Sequence, residues 1–171
     1  FITHIAKEMG VKVECIEPDR IAEINYLLQN FKPDDIEYYY YLRGIRDYFR
    51  PGRVQDNTTF EKYSQQLLDT HKKLFGSLPH FSNFDFSLEH MKVINKNITG
   101  KDFDINNRLD INPRKLDTII GQVSHATDLF RDFSHVRKIE QCLNDGYCVF
   151  ILNGEDHAVI QRPVLERMFG E

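Results

Sequence analysis

An uninterrupted apolar run at residues 147–152, Tyr-Cys-Val-Phe-Ile-Leu, constrains the fold of this chain more than any other feature. Such a run is typical of a strand that is buried on both faces. Gly154 follows closely and lets the chain turn sharply, and Glu155, Asp156 and His157 come directly after it. A strand of this kind needs neighbouring strands and a cover of helices. The sequence therefore predicts a helix-rich α/β fold with a small, mostly parallel sheet.

A second buried strand is predicted at residues 11–16, between a helix that stops at Gly10 and another that opens at Glu17 and Pro18. Helical periodicity then covers about residues 33–49, 57–75, 87–98, 113–143 and 163–169. Two strands are too little sheet for so many helices. We therefore expect a single α/β domain over residues 1–171 that lacks N-terminal strands, with a helical insertion at about 33–112.

Composition excludes some classes of protein. The 171 residues carry a formal charge of −4, with 41% hydrophobic and 28% charged residues, which is ordinary for a globular domain and argues against a nucleic-acid-binding surface. No apolar stretch is long enough to span a membrane. Cys15, Cys142 and Cys148 are an odd number; we expect Cys15 and Cys148 to be buried in strands, which favours a reducing compartment.

His157 and Glu17 are the first candidate site residues, because each follows a predicted buried strand. The carboxyl ends of parallel strands meet at one edge of a sheet, so we expect the two side chains within roughly 10–12 Å of each other, the span of a small-molecule cleft. Both are candidate ligands of a divalent metal, and His157 is a candidate general base. The alternatives are a capping or surface histidine and a carboxylate at a helix N-terminus.

Arg131, Asp132 and His135 are the second group of candidates, on the long helix before the last strand. On a helical wheel, Asp132 and His135 lie half-buried on one flank of an apolar stripe and Arg131 points further out. Carboxylate and imidazole three residues apart suit acid–base or ligand chemistry, but they also suit an ordinary surface ion pair. The predicted stripe consists of Leu129, Phe133, Val136, Ile139 and Leu143.

Other titratable and aromatic residues receive no chemical role. The four consecutive tyrosines at 38–41 cannot all face one way on a helix, so we expect two to pack and two to face outward. The remaining histidines lack metal-ligand spacing; they are His4, His71, His80, His90 and His125.

The order of these features resembles a superfamily that contains TraB-type proteins, ChaN-like haem-associated lipoproteins, erythromycin-esterase-like hydrolases and Tiki metalloproteases. Glu17, in Cys-Ile-Glu-Pro, looks like the family's Glu after a helix–strand step. The segment from Arg131 to His135 looks like its Arg-Asp helix, and residues 149–157 look like its late strand ending in Gly-x-x-His. The family's early Gly-Glu-x-His motif has no counterpart in this chain. The resemblance implies an α/β core with helical insertions.

The leading functional expectation is a hydrolase acting on a small-molecule or peptide substrate. Glu17 and His157, joined by Arg131, Asp132 and His135, would line its cleft. Water would be activated by a divalent metal at His157 and Glu17, or by His157 directly, as the esterase-like members imply. The alternatives are a non-catalytic module that binds haem or another ligand, and a helical protein-interaction domain.

Overall fold

The computed structural model describes residues 2–54, 57–105, 111–152 and 154–170. The described residues form seven α-helices, with short 3-10 helices at Arg46–Phe49 and Pro79–Phe81. The α-helices are α1 (Ile2–Glu8), α2 (Arg20–Leu27), α3 (Pro33–Ile45), α4 (Phe60–Phe75), α5 (Leu88–Thr99), α6 (Ile119–Asn144) and α7 (Glu155–Phe169).

The predicted α/β fold is wrong, because no residue in the described ranges forms a β-strand. The two predicted strands, at residues 11–16 and 147–152, lie outside regular secondary structure. Neither is buried: Phe150 is 84% exposed and Val11 is 55% exposed. A strand exists only when a neighbouring strand supplies its hydrogen bonds, and apolar content within one segment carries no information about that neighbour.

Exposure also corrects the prediction for the cysteines. Cys15 and Cys148 are both exposed, and Cys142 on α6 is half-buried. Their expected burial followed from the two predicted strands, which the described residues do not form.

The chain divides into two compact units. Residues Arg20–Leu129 form one unit, called the core unit here, and residues Phe1–Asp19 together with Phe130–Glu171 form the other, called the terminal unit. In the core unit, α3 packs against α4 and α5, and α4 packs against α5. Capping residues mark these helices in the sequence. The Ser87 side chain accepts a hydrogen bond from the backbone of His90, and Gly100 ends α5 at φ 71°.

All four tyrosines of α3 are buried, so the expectation that two face outward is wrong. Their hydroxyl groups find partners in the interior. Tyr38 donates to Asn95 Oδ1 at 2.8 Å, and Tyr41 lies 3.1 Å from Ser64 Oγ. Tyr40 donates to Glu23. The buried residues of α3 surround its axis, as expected of a helix covered on all sides rather than one with a solvent-facing stripe.

The terminal unit has the opposite distribution of polarity. Its buried residues, within the described ranges, are Ile139 and three polar side chains, Asp132, His135 and Gln161. Large apolar side chains are instead exposed, among them Phe133 at 67%. The predicted stripe of α6 is therefore wrong at Leu129 and Phe133, because the buried face carries the i, i+3, i+7 positions of Asp132, His135 and Ile139.

Helix α7 begins earlier than predicted and takes in both Pro163 and His157. The proline lies inside the helix rather than at its start. His157 therefore belongs to the first turn of a helix instead of a loop. In the part of the chain that the structure describes, each helix is too short or too polar to cross a membrane.

A buried histidine and carboxylate cluster

Four side chains of the terminal unit, two from α6 and two from α7, are the centre of this cluster. Asp132 and His135 lie one turn apart on α6, and His157 and Gln161 lie one turn apart on α7. Residues three or four positions apart share one face of a helix. Each helix therefore presents two polar side chains. The two from α7 form hydrogen bonds with the two from α6.

Asp132 Oδ1 is the centre of the hydrogen bonds. It lies 2.8 Å from His157 Nδ1 and accepts a bond of 2.6 Å from Gln161 Nε2. A carboxylate can only accept, so His157 must carry its proton on Nδ1 and donate it. In a neutral imidazole the lone pair is then on Nε2. The His157 side chain is 17% exposed, so water can reach this histidine.

His135 lies beside His157, with ring centroids 5.4 Å apart in an edge-to-face arrangement. Its side chain is 1% exposed. Burial lowers the pKa of His135 most; the nearby Glu17 carboxylate opposes this, while His157 and Arg131 reinforce it. The ring is therefore held neutral more strongly than a histidine in water.

Glu17 joins the cluster from the segment that precedes α2. Arg131 binds it with two hydrogen bonds, Nε to Oε2 at 3.0 Å and Nη2 to Oε1 at 2.7 Å. The pair is a bidentate fork, the stronger geometry for arginine and carboxylate. The hydrogen bonds from Arg131 lower the pKa of Glu17 most, and partial burial opposes them. Glu17 Oε1 also lies 3.7 Å from His135 Nε2.

The structure thus brings together all five residues that the sequence named: Glu17, Arg131, Asp132, His135 and His157. Glu17 and His157 both approach His135. The predicted reason for this proximity is wrong, because the described residues contain no sheet edge to collect them. Whether the five act as a functional site stays a prediction.

Gln161 is the member that the sequence analysis missed. It is buried, and its amide bonds both Asp132 and His135. Its spacing of four residues from His157 would have placed both on one helical face. The prediction that the last helix begins at residue 163 hides this signal, because α7 in fact begins at Glu155.

Asp132, His135 and His157 could also hold a cation. Each offers one ligand atom, and these atoms lie within 4.8 Å of one another. Two imidazoles and a carboxylate are a donor set used for zinc and for non-haem iron. Of the two residues predicted as metal ligands, His157 belongs to this set, while Glu17 is bound by Arg131. The observed hydrogen bonds satisfy Asp132 Oδ1 and His157 Nδ1 without a cation.

A second buried histidine and carboxylate pair lies in the core unit. Glu37 on α3 is fully buried, and its Oε1 lies 2.6 Å from Nδ1 of His71 on α4. The His71 ring packs against Phe75, with centroids 5.5 Å apart. This pair joins two helices inside an apolar interior, which is the arrangement of a structural pair.

Comparisons with protein-family models, with curated proteins and with solved structures found no match to this chain.

The Glu17–Arg131 pair predicts a pH-dependent difference in stability. Because the pKa of Glu17 is lowered on folding, its contribution is present above the unfolded pKa and is lost as the pH falls through the folded pKa. We expect Glu17→Gln to lower the free energy of unfolding at neutral pH, by less than about 1 kcal/mol because the carboxylate is half-exposed. In acid the variant and the parent should be equally stable.

Urea unfolding at neutral pH and in acid measures this difference. Glu140→Gln, which removes the same charge from α6, is the matched control. A Glu17→Gln effect that persists unchanged in acid would mean that packing, and not charge, accounts for it.

Proposed function

We propose that the cluster activates water for hydrolysis, with His157 as the general base and Asp132 as the residue that orients it. The observation that carries this proposal is the 2.8 Å hydrogen bond between Asp132 Oδ1 and His157 Nδ1. A carboxylate bound to one imidazole nitrogen leaves the other nitrogen basic, and it stabilises the imidazolium that forms when a proton is taken.

Burial of polar groups supports the proposal. The terminal unit buries Asp132, His135 and Gln161 while it exposes Phe133 and other large apolar side chains. Burying a polar group costs free energy unless it is hydrogen-bonded, and Gln161 bonds both Asp132 and His135. Buried titratable groups with a specific charged partner are candidates for a functional site.

The proposed reaction is general-base hydrolysis of an ester or amide in a small molecule or peptide. His157 Nε2 takes a proton from water as the water oxygen bonds to the carbonyl carbon. The tetrahedral intermediate then collapses, the bond to the leaving group breaks, and His157 returns the proton to that group. Asp132 remains ionised throughout and holds the imidazolium. Arg131 holds Glu17 beside His135 through its bidentate hydrogen bonds.

Hydrolysis of p-nitrophenyl esters and of peptide p-nitroanilides tests the proposal. We expect His157→Gln to lower kcat/KM at least about 100-fold, the lower end of what a positioned general base contributes. His125→Gln is the matched control, because His125 is an exposed histidine near the start of α6. Circular dichroism and a thermal melt would verify that both variants remain folded.

Two outcomes would contradict the proposal. Equal activity of the two histidine variants would show that His157 is not the base. Activity that is lost with EDTA and restored by Zn²⁺ would transfer water activation to a metal bound by the cluster.

A protein-interaction role is the second candidate function, favoured by a different observation. Large apolar side chains of the terminal unit are exposed, including Phe150 at 84% and Val159 and Ile160 on α7. Exposed apolar side chains mark a partner-binding site when they form one contiguous patch. Under this proposal the His157 variant would change no activity, while Phe150→Ser would weaken capture of a partner.

A further inference from the structure

We propose that Gln161 is a positioning residue that fixes the tautomer of His135, so that this ring is a hydrogen-bond donor at Nε2 while the neighbouring His157 is a base at Nε2. The catalytic meaning of this inference rests on the proposed hydrolysis, although the tautomer itself does not.

The first step concerns the orientation of the Gln161 amide. Its Nε2 lies 2.6 Å from Asp132 Oδ1 and 3.1 Å from His135 Nδ1. The Asp132 carboxylate only accepts, so the NH2 group of Gln161 must face it rather than the carbonyl oxygen. An NH2 group has two hydrogens, and the second is available to His135 Nδ1.

The second step concerns His135. A nitrogen that accepts a hydrogen bond from the amide must carry a lone pair, so the proton of the neutral ring lies on Nε2. An imidazolium, with protons on both nitrogens, would set Nδ1–H against the NH2 of Gln161. The lowered pKa of His135, caused first by its burial, agrees with a ring that is kept neutral.

The third step compares the two rings. Asp132 makes His157 a donor at Nδ1, while Gln161 makes His135 an acceptor at the same ring position. The adjacent imidazoles, 5.4 Å apart, are therefore held in opposite tautomers. One has a basic Nε2 and the other has an Nε2–H group.

The charged and titratable groups that act on His135 are Glu17, Arg131, Asp132 and His157. Its Nε2 is buried and has no hydrogen-bond partner among the described residues. Glu17 Oε1, at 3.7 Å, is beyond normal hydrogen-bond distance. The Nε2–H group therefore has unused donor capacity, which a carbonyl oxygen of a substrate would satisfy if the half-exposed Glu17 side chain moved aside.

Nuclear magnetic resonance of protein labelled with 15N-histidine reads the tautomer directly. Long-range 1H–15N correlation separates protonated from unprotonated ring nitrogens. The spectra are recorded at about pH 8, where an ordinary histidine is neutral. The histidine signals that disappear from the spectrum of the His135→Gln variant are those of the His135 ring. In the parent protein we expect Nε2 of His135 to be protonated and Nδ1 unprotonated.

Two substitutions of Gln161 should change this pattern in different ways. Gln161→Met has a similar length and donates nothing, so His135 should become a mixture of tautomers. Gln161→Glu has at most one proton to give, and Asp132 Oδ1 takes it, so His135 should carry its proton on Nδ1. Gln141→Met and Gln141→Glu, at an exposed glutamine of α6, should leave the His135 pattern unchanged.

The tautomer inference and the proposed hydrolysis can be contradicted independently of each other. A parent spectrum with Nδ1 of His135 protonated would overturn the inference without any variant, and so would a Gln161→Glu spectrum identical to the parent. Because this measurement needs no substrate, failure of the ester and anilide tests would remove the proposed hydrolysis and leave the tautomer result standing. Conversely, hydrolysis could be established while the spectra reject Gln161.

Discussion

His71→Leu is expected to lower the free energy of unfolding by about 3–5 kcal/mol at neutral pH, the cost of leaving one charge of a buried pair without its partner. Glu37 is fully buried, and His71 Nδ1 is its partner at 2.6 Å. The second carboxyl oxygen, Oε2, already has no hydrogen-bond partner among the described residues. Without His71, neither oxygen would keep the bond that offsets the desolvation of this carboxylate.

The expected loss should depend on pH. Burial raises the pKa of Glu37, and the hydrogen bond from His71 opposes that rise. Removing His71 therefore raises this pKa further. A group whose pKa is raised on folding contributes stability below its unfolded pKa, and that contribution is lost as the pH rises through the folded pKa. His71→Leu should consequently be less destabilising in acid, where Glu37 binds a proton and no buried charge remains.

A double substitution separates the pair from the packing around it. Glu37→Met combined with His71→Leu removes both polar groups, and buried pairs replaced by apolar residues of similar volume are often neutral or stabilising. We expect most of the lost stability to return. His90→Leu is the matched control, because His90 and Asp34 form a more exposed pair at 3.6 Å, and such pairs contribute about 1 kcal/mol or less.

Urea unfolding of the four proteins gives the free energies. If the double variant were as unstable as His71→Leu alone, the loss would come from the packing of the His71 ring against Phe75. The buried charge would then have no part in it.

The helices of the core unit could be predicted because their signals are local. Helices α4 and α5 were located to within a few residues by apolar spacing, and Ser87 and Gly100 mark the two ends of α5. Periodicity and caps depend on residues a few positions apart. These local signals do not depend on the structure of the rest of the chain.

The strands could not be predicted reliably because pairing is not local. Residues 147–152 have the composition of a buried strand, yet Phe150 is exposed and the described residues supply no neighbouring strand. The prediction that two of the four tyrosines at 38–41 face outward is wrong for a related reason. A helical wheel locates faces, but only the tertiary structure decides how many of them are covered.

Prediction of the site was correct about proximity and wrong about its cause. Polar residues at helical spacing, such as Asp132 and His135, could be identified on one flank of α6. Apolar character predicts Phe133 buried beside a half-buried flank, whereas in the structure Phe133 is exposed and Asp132 and His135 are buried. Hydrophobicity ranks residues by average burial, whereas here hydrogen bonds to Gln161 and His157 make the polar face the buried one.

Asp132→Asn is expected to lower kcat of the proposed reaction by up to about 10⁴-fold, no more than the loss of the base itself. Asp132 Oδ1 accepts from both His157 Nδ1 and Gln161 Nε2. An asparagine offers one oxygen and one NH2 group in its place. If the asparagine oxygen takes the place of Oδ1, both donors keep their acceptor. If the NH2 group faces His157 instead, Nδ1 must become the acceptor and the proton moves to Nε2.

The consequence for His157 is chemical rather than steric. With its proton on Nε2, the ring has no lone pair at the atom that the proposal assigns to the base. The amide also cannot stabilise an imidazolium as a carboxylate does. Loss of charge-assisted hydrogen bonds should cost stability as well, by about 1–3 kcal/mol, so the rate must be measured where the variant is still folded.

Three measurements on one variant decide the matter. Asp132→Asn is compared with Asp145→Asn, an exposed position just after α6, for ester hydrolysis, for urea unfolding and for the 15N pattern of His157. The proposal requires a loss of rate that the control does not show, and the 15N pattern shows whether the His157 tautomer changes with it. If the rate fell while His157 kept its proton on Nδ1, the lost negative charge beside the imidazolium, and not a changed tautomer, would account for the fall. If the rate did not fall at all, His157 could not be the base that Asp132 positions.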